Sequence, residues 1–342
     1  MRSLLPPDRP ALVLAPMQDV TDLPFMRLIA RYGGPDLYVT EYFRVTPDSK
    51  LDATILKSIT QNDTGIPVIA QMIGQDIPAL IRTAKALEKY PVAGIDLNLG
   101  CPAPVVCRKD AGGGLLRQPE RVNEILRALR DTVQGRFTVK CRVGFADKAE
   151  FPRLLEVFQS HAIDGLTVHG RTVRDAYKTA VHPECVALAV QSMPCPVIAN
   201  GNVVDVPTGV AYLHHTQAAG LMLGRGAIRH PWLFDHLRAH WEGREVAPRT
   251  GRDMMDYIQN LYDMTAAFHP HYETNAHVQK MKRYMVYITT GIAEGQFEYR
   301  IRRVSTEPEF FAACHEYLDN DLPLPVRPPE TSSVFCGFAE LK

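Results

Sequence analysis

At 342 residues, 46% hydrophobic and 22% charged, the chain carries enough apolar material for one large core or two smaller ones, which excludes a disordered protein. Lys plus Arg and Asp plus Glu both number 38, so the global charge does not announce a nucleic-acid partner, and any such partner must meet a local patch. Seven cysteines without a repeating framework fit reduced thiols, and the compartment is read as the cytoplasm.

The N-terminal run MRSLLPPDRPALVLAPM carries Pro6, Pro7, Asp8 and Pro10 where a signal peptide needs unbroken apolar residues. No later segment is long and apolar enough to span a bilayer. Short apolar runs then recur at 11–17, 37–42, 67–74, 93–100, 137–144, 165–170, 196–203 and 220–227. Between them lie amphipathic stretches such as IPALIRTAKALEKY, PERVNEILRALRDTV and FPRLLEVFQSHA, with apolar residues recurring at three and four. Eight strand-helix units in about 240 residues predict an α/β fold, a (β/α)8 TIM barrel over residues 1–243. A doubly wound sheet is the competitor, but no strand-to-helix turn carries the GxGxxG fingerprint of a dinucleotide-binding sheet. After VAPRTGRD (246–253), which reads as a linker, DMMDYIQNLYDMTAAF and NAHVQKMKRYMVYITTGI predict a small all-helical C-terminal domain over 250–320. The remainder, 321–342, is rich in proline and serine from Pro323 and is expected to be extended or disordered.

The strands end in polar or glycine residues, and in a barrel those ends converge on the face where active sites are built. ANGNV (199–203) and MLGRGA (222–227) bring glycine to the last two strand ends, and Arg225 adds a fixed positive charge, a pattern that suits a phosphate. Lys140, in VKCRV, points into the barrel if Val139, Cys141 and Val143 pack outward. It suits a Schiff base, a donor to a carbonyl-rich ring such as the pyrimidine end of a flavin, or a plain ion pair. His169, Gln71 and Asn98 end strands six, three and four, and the two amides suit the edge of a heterocyclic ring. Cys101 follows strand four in DLNLGCPAPVVCRKDAGGGLL, a loop that Pro102 and Pro104 stiffen and Gly112, Gly113 and Gly114 are expected to let swing. Cys107 lies too far along for a CxxC pair, so no metal is expected there, and an ordinary protonated thiol makes a general acid the economical role. Residues 277–303 hold Lys280, Lys282, Arg283, Arg300, Arg302 and Arg303 against Glu294 and Glu298, a local excess of four positive charges that also suits an ordinary solvated helix face.

APMQDVTDLPFMRLIARYGG (15–34), YVTEY, AQMIG, DLNLGCPAPVVCRKDAGGGLL, VKCRVGF, LTVHGRT, IANGNV and MLGRGAIRHPWLF occur in an order that resembles the tRNA-dihydrouridine synthase family, flavin-dependent barrels that reduce particular uridines of tRNA. The NxGCP segment with its glycine-rich loop is the most specific of these. The resemblance implies FMN, held by Pro16, Met17 and Gln18, by Gln71 and Lys140 at the ring, and by His169, Asn200, Gly201, Asn202, Gly224 and Arg225 towards the phosphate. It also implies NADPH as reductant, Asn98 on the uracil, Cys101 as the acid that protonates C5 while hydride reaches C6, and a helical domain that helps hold the RNA. Arg171, Lys178, Lys280 and Arg283 are the candidates for RNA contact, and a monomer is expected. ANGNV carries Asn202 where family members often have aspartate, which leaves a backbone-mediated phosphate site intact but weakens any inference from that side chain. The rival readings are a flavin barrel acting on a free pyrimidine, as in dihydroorotate dehydrogenases, a tRNA-binding folding helper, and a flavin-free lyase using Lys140.

Overall fold

The computed structural model describes residues 1–341. Eight parallel staves form a closed barrel: β1 (Ala11–Leu14), β2 (Leu37–Val39), β3 (Val68–Ile73), β4 (Gly94–Leu99), β5 (Phe137–Arg142), β6 (Gly165–His169), β7 (Val197–Asn200) and β8 (Gly220–Leu223). Each pairs with the next, and β1 pairs with both β2 and β8, which closes the ring. Their residues are almost all buried, as expected of aliphatic strands covered by helices outside and side chains inside. The second stave resumes at Phe43–Arg44 after a three-residue gap. Within that gap the Thr40 hydroxyl accepts the Gln71 N–H at 3.0 Å, standing in for a strand carbonyl. Every apolar run read from the sequence begins within a residue of its strand and continues into the loop beyond it.

The covering helices are α1 (Leu23–Arg31), α2 (Ala53–Thr60), α3 (Ile77–Leu87), α4 (Pro119–Thr132), α5 (Phe151–Gln159), α6 (Pro183–Ser192), α7 (Val206–Thr216) and α8 (Leu233–Glu242). Asp22, Asp52, Asp76 and Asp205 cap four of them by accepting N–H groups of the first turn, which is what sets those starts. Past residue 250 come α9 (Gly251–Phe268), α10 (Thr274–Ile288), α11 (Gln296–Arg303) and α12 (Glu307–Leu318). These helices do not keep a core of their own. Tyr32 of the barrel meets Trp232 edge-on at 5.4 Å and Tyr257 of α9 at 5.6 Å, Phe25 of α1 stacks on Tyr284 of α10 at 5.9 Å, and one apolar cluster runs through both parts.

The tail, expected to be extended or disordered, is packed against the barrel. Its path is irregular, but Phe335, Phe338 and Leu341 are buried, the two phenylalanines against Val204. Arg229 donates to the carbonyls of Pro325 and Val326 at 2.6 and 2.7 Å, and Arg327 pairs with Asp205 at 2.7 Å. Three apolar anchors, two guanidinium-carbonyl contacts and an ion pair order a stretch whose average composition is polar. Among the described residues no helix is long and apolar enough to cross a membrane.

Candidate active site

Strand register brings the predicted polar residues into one inner layer. Gln71 lies opposite Asp96, and Lys140 sits between Asn98 and Thr167. The Gln71 amide donates to Asp96 at 2.8 Å, Asn98 donates to the Gln71 oxygen at 2.8 Å, and Thr138 donates to the other Asp96 oxygen at 2.6 Å. The Asn98 oxygen then accepts the N–H groups of Gly100 and Cys101 at 2.9 and 3.0 Å. A buried carboxylate is thereby linked through two amides to the turn that presents the thiol. Burial pushes Asp96 up to about 6 against its hydrogen bonds and Lys140. Burial, with Arg142, brings Lys140 down to about 8, and Asp96 opposes the drop. Burial works against the charge on each group and each partner favours the charge on the other, inside the barrel next to the thiol-bearing loop.

Cys101 is half-buried, and its loop is pinned, which corrects the expectation that the glycine run lets it swing. Gly112, Gly113 and Gly114 are all buried. A Cβ on Gly113 would lie 2.6 Å from a Val173 methyl and 2.8 Å from the Cys101 carbonyl, and one on Gly114 would lie 2.7 Å from the Cys107 carbonyl. The glycines are there for close approach. Gly113 N–H donates to the Cys101 carbonyl at 3.0 Å, and Arg142 fastens the same turn by donating to the Gly100 carbonyl at 2.9 Å.

The ends of β6, β7 and β8 form a second, cationic half of the mouth. Arg171, 0% exposed, donates to the Thr179 carbonyl at 2.6 Å, to the Asn202 side-chain oxygen at 2.6 Å and to the Cys336 carbonyl at 2.9 Å. Its Nη1, with His169 Nδ1 and Asn202 Nδ2, is buried without a hydrogen-bond partner among the described residues. Arg225 donates to the Val334 carbonyl, and its guanidinium lies 4.8 Å from the Tyr177 ring and 5.7 Å from that of Phe335. Burial and the neighbouring guanidiniums Arg225 and Arg142 bring Arg171 down to about 10, and burial with Arg142, Lys140 and further arginines holds His169 well below its ordinary value, as a neutral ring. Gly201, at φ 120°, can hold its backbone where a side chain would meet Val181 and His169, and Gly224 faces Met17 Sδ, which a Cβ would approach to 3.2 Å. Asn200 is spent inside, donating to the Met222 carbonyl at 2.8 Å. Pro16 and Met17 are half-buried at the mouth and Gln18 is exposed beside them.

A sequence model of the family described as Dihydrouridine synthase (Dus) matches residues 13–321. The chain belongs to the dihydrouridine synthase family. It is 34% identical over 265 residues to tRNA-dihydrouridine synthase B of Pseudomonas putida, covering 76% of this chain and 77% of that one. It is 30% identical over 267 residues to tRNA-dihydrouridine(16) synthase of Neisseria meningitidis, covering 76% and 80%. Against tRNA-dihydrouridine synthase B of Proteus vulgaris it is 29% identical over 318 residues, covering 91% and 96%.

The basic candidates of this dihydrouridine synthase separate once placed. Arg171 is no surface contact but part of the cationic pocket, whereas Lys178 is exposed on the loop after β6. Lys280 is withdrawn from solvent, pairing with Asp22 at 2.7 Å with both side chains 10% exposed, and it donates to the Asp19 carbonyl at 2.8 Å. Arg283, half exposed, pairs with Asp19 at 2.6 Å. Arg300 and Arg302 meet Glu316 and Glu298. Glu298 was already counted in the local excess, and Asp22, Asp19 and Glu316, from elsewhere in the chain, offset three of its four charges. Sequence reasoning passed over Asp96, Arg142 and Tyr177 as site residues. Asp96 and Asn98 are two apart on one strand and so share the inner face, a signal that was available for the acid. Tyr177, 45% exposed yet standing over both Arg142 at 5.1 Å and Arg225 at 4.8 Å, had none.

Proposed function

We propose that this dihydrouridine synthase reduces the C5=C6 bond of uridines in tRNA, with FMN as its flavin, NADPH as the reductant and Cys101 as the general acid. The observation that carries the cofactor is the set of orphaned buried nitrogens, Arg171 Nη1 and Asn202 Nδ2 as donors beside His169 Nδ1, gathered where the guanidiniums of Arg171 and Arg225 converge. Buried donors and unbalanced positive charge call for an anion, and the phosphate of a mononucleotide fits that donor set. Gln71, Lys140 and Met17 would hold the ring end, where an amide and a cation suit a pyrimidine edge. Bound flavin supplies hydride transfer between the nicotinamide and the uracil.

The chain's own groups supply the rest. Cys101 Sγ carries the proton for C5 at the pocket mouth, and Asn98 and Arg142 fix the turn that presents it. Lys140, whose charged form Asp96 favours against burial, would provide the positive charge that favours electron density on the pyrimidine side. The uridine must leave its neighbours to reach this depth, an unstacking cost of a few kcal/mol met by contacts to the surrounding RNA. Purified Cys101→Ala protein is expected to keep a yellow cofactor that NADPH bleaches while dihydrouridine formation in tRNA nearly disappears. Unimpaired turnover in that variant removes the acid role.

A further inference from the structure

The cationic pocket is finished by a segment outside the family match. That match ends at residue 321, yet both guanidiniums of the pocket reach backbone carbonyls beyond it, Arg171 to Cys336 at 2.9 Å and Arg225 to Val334. Phe335, between those two carbonyls, adds a ring face 5.7 Å from the Arg225 guanidinium, opposite in origin to Tyr177 from the loop after β6. We propose that residues 323–341 are a strap that positions Arg171 and Arg225 for the terminal phosphate of the flavin, an inference that rests on the FMN reading above.

The chemistry of the anchors favours this role over simple packing. Among the described residues, the hydrogen bonds that Arg171 and Arg225 donate end on backbone carbonyls and on the Asn202 amide oxygen, none on a carboxylate. A carboxylate anchor would hold a guanidinium firmly and cancel its charge. A carbonyl fixes the direction of the N–H fork and leaves the full positive charge for a ligand. The strap is itself hooked at separated points. Arg229 holds Pro325 and Val326, Arg327 pairs with the buried Asp205, and Phe335 and Phe338 fill a recess beside Val204. Gly337, at φ 68°, lets it lie flat on the loop after β6, because a Cβ there would come within 2.5 Å of the Ala180 nitrogen. That loop supplies the Thr179 carbonyl to Arg171, so strap and loop grip the same side chain.

The test compares FMN with riboflavin, which differ by the phosphate alone, binding to apoprotein by quenching of flavin fluorescence. The proteins are the full chain, a truncation after residue 321, and Gly337→Val, which lifts the strap while keeping its aromatic anchors. Charged hydrogen bonds of this kind are worth about ten- to hundredfold in affinity. Both variants are therefore expected to lose FMN affinity by about that factor while riboflavin affinity stays within about twofold, so that the preference for FMN collapses. In an Arg171→Met, Arg225→Met background the truncation is expected to add nothing. Equal losses for FMN and riboflavin, or an unchanged preference in Gly337→Val, overturn the positioning role and leave FMN binding by the full chain intact. A full chain that binds both flavins alike, or neither, overturns the FMN reading itself and the inference with it.

Discussion

Replacing Glu41 by glutamine should make the protein more stable at alkaline pH. Glu41 is 7% exposed in the gap of the second stave, and its oxygen accepts the Val20 N–H at 3.1 Å. Burial first, and Asp22 second, push its carboxyl from an ordinary 4.5 up to about 7, with Lys280 among the groups that restrain it. Because the folded state binds this proton more tightly than the unfolded chain does, the associated stability is complete below 4.5, is lost as pH rises through about 7, and stays lost above it. At about 1.4 kcal/mol per pH unit, the span from 4.5 to about 7 amounts to roughly 3 kcal/mol. Glutamine keeps the size and an acceptor for Val20, but has no proton to lose. Urea unfolding of the two proteins followed by tryptophan fluorescence should give a stability gap that widens by roughly 3 kcal/mol, in favour of the variant, between pH 4.5 and pH 8.5. A gap that does not change with pH would refute the assignment of this titration to Glu41.

Removing the cation of the neighbouring buried pair works in the opposite direction. Lys280→Met leaves the buried Asp22 side chain without its ion-pair partner, and is expected to lower unfolding free energy at pH 7 by about 3 kcal/mol, while tRNA affinity of the folded protein, measured by filter binding at low temperature, changes little. A large loss of tRNA affinity with stability intact would instead restore Lys280 as an RNA contact. In Asp96→Asn, Lys140 loses the carboxylate that holds its pKa up, so the alkaline limb of flavin reduction by NADPH, expected near pH 8, should move about one unit towards acid. Stopped-flow bleaching across pH reads this directly, and an unmoved limb rules out the coupling.

The barrel was legible because eight aliphatic runs separated by three-and-four periodicity leave few architectures, and because the polar ends of those runs share a face by construction. Lys140, Asn98, Gln71 and Cys101 were singled out this way, each from its place towards a strand end, and the fold brings them to one end of the barrel. What stayed hidden depends on partners distant in sequence. Lys280 and Arg283 look like an exposed basic face until Asp22 and Asp19, some 260 residues earlier, are brought to them. The glycine run is compatible with a hinge or with close packing, and only the neighbouring Val173 and Cys107 decide between them. The tail reads as polar on average, but Phe335 and Phe338 are placed where a recess awaits them, which composition does not record.

The aromatic seam through Phe25, Tyr32, Trp232, Tyr257 and Tyr284, together with the ion pairs on Asp19 and Asp22, also limits how this enzyme can be rebuilt. Grafting α9–α12 from a relative would open that seam and strand two carboxylates. A working exchange has to carry the stretch from Asp19 to Tyr32 along with the helices. The unit that supports these helices is therefore discontinuous in sequence, a short N-terminal piece and a long C-terminal one that must change together.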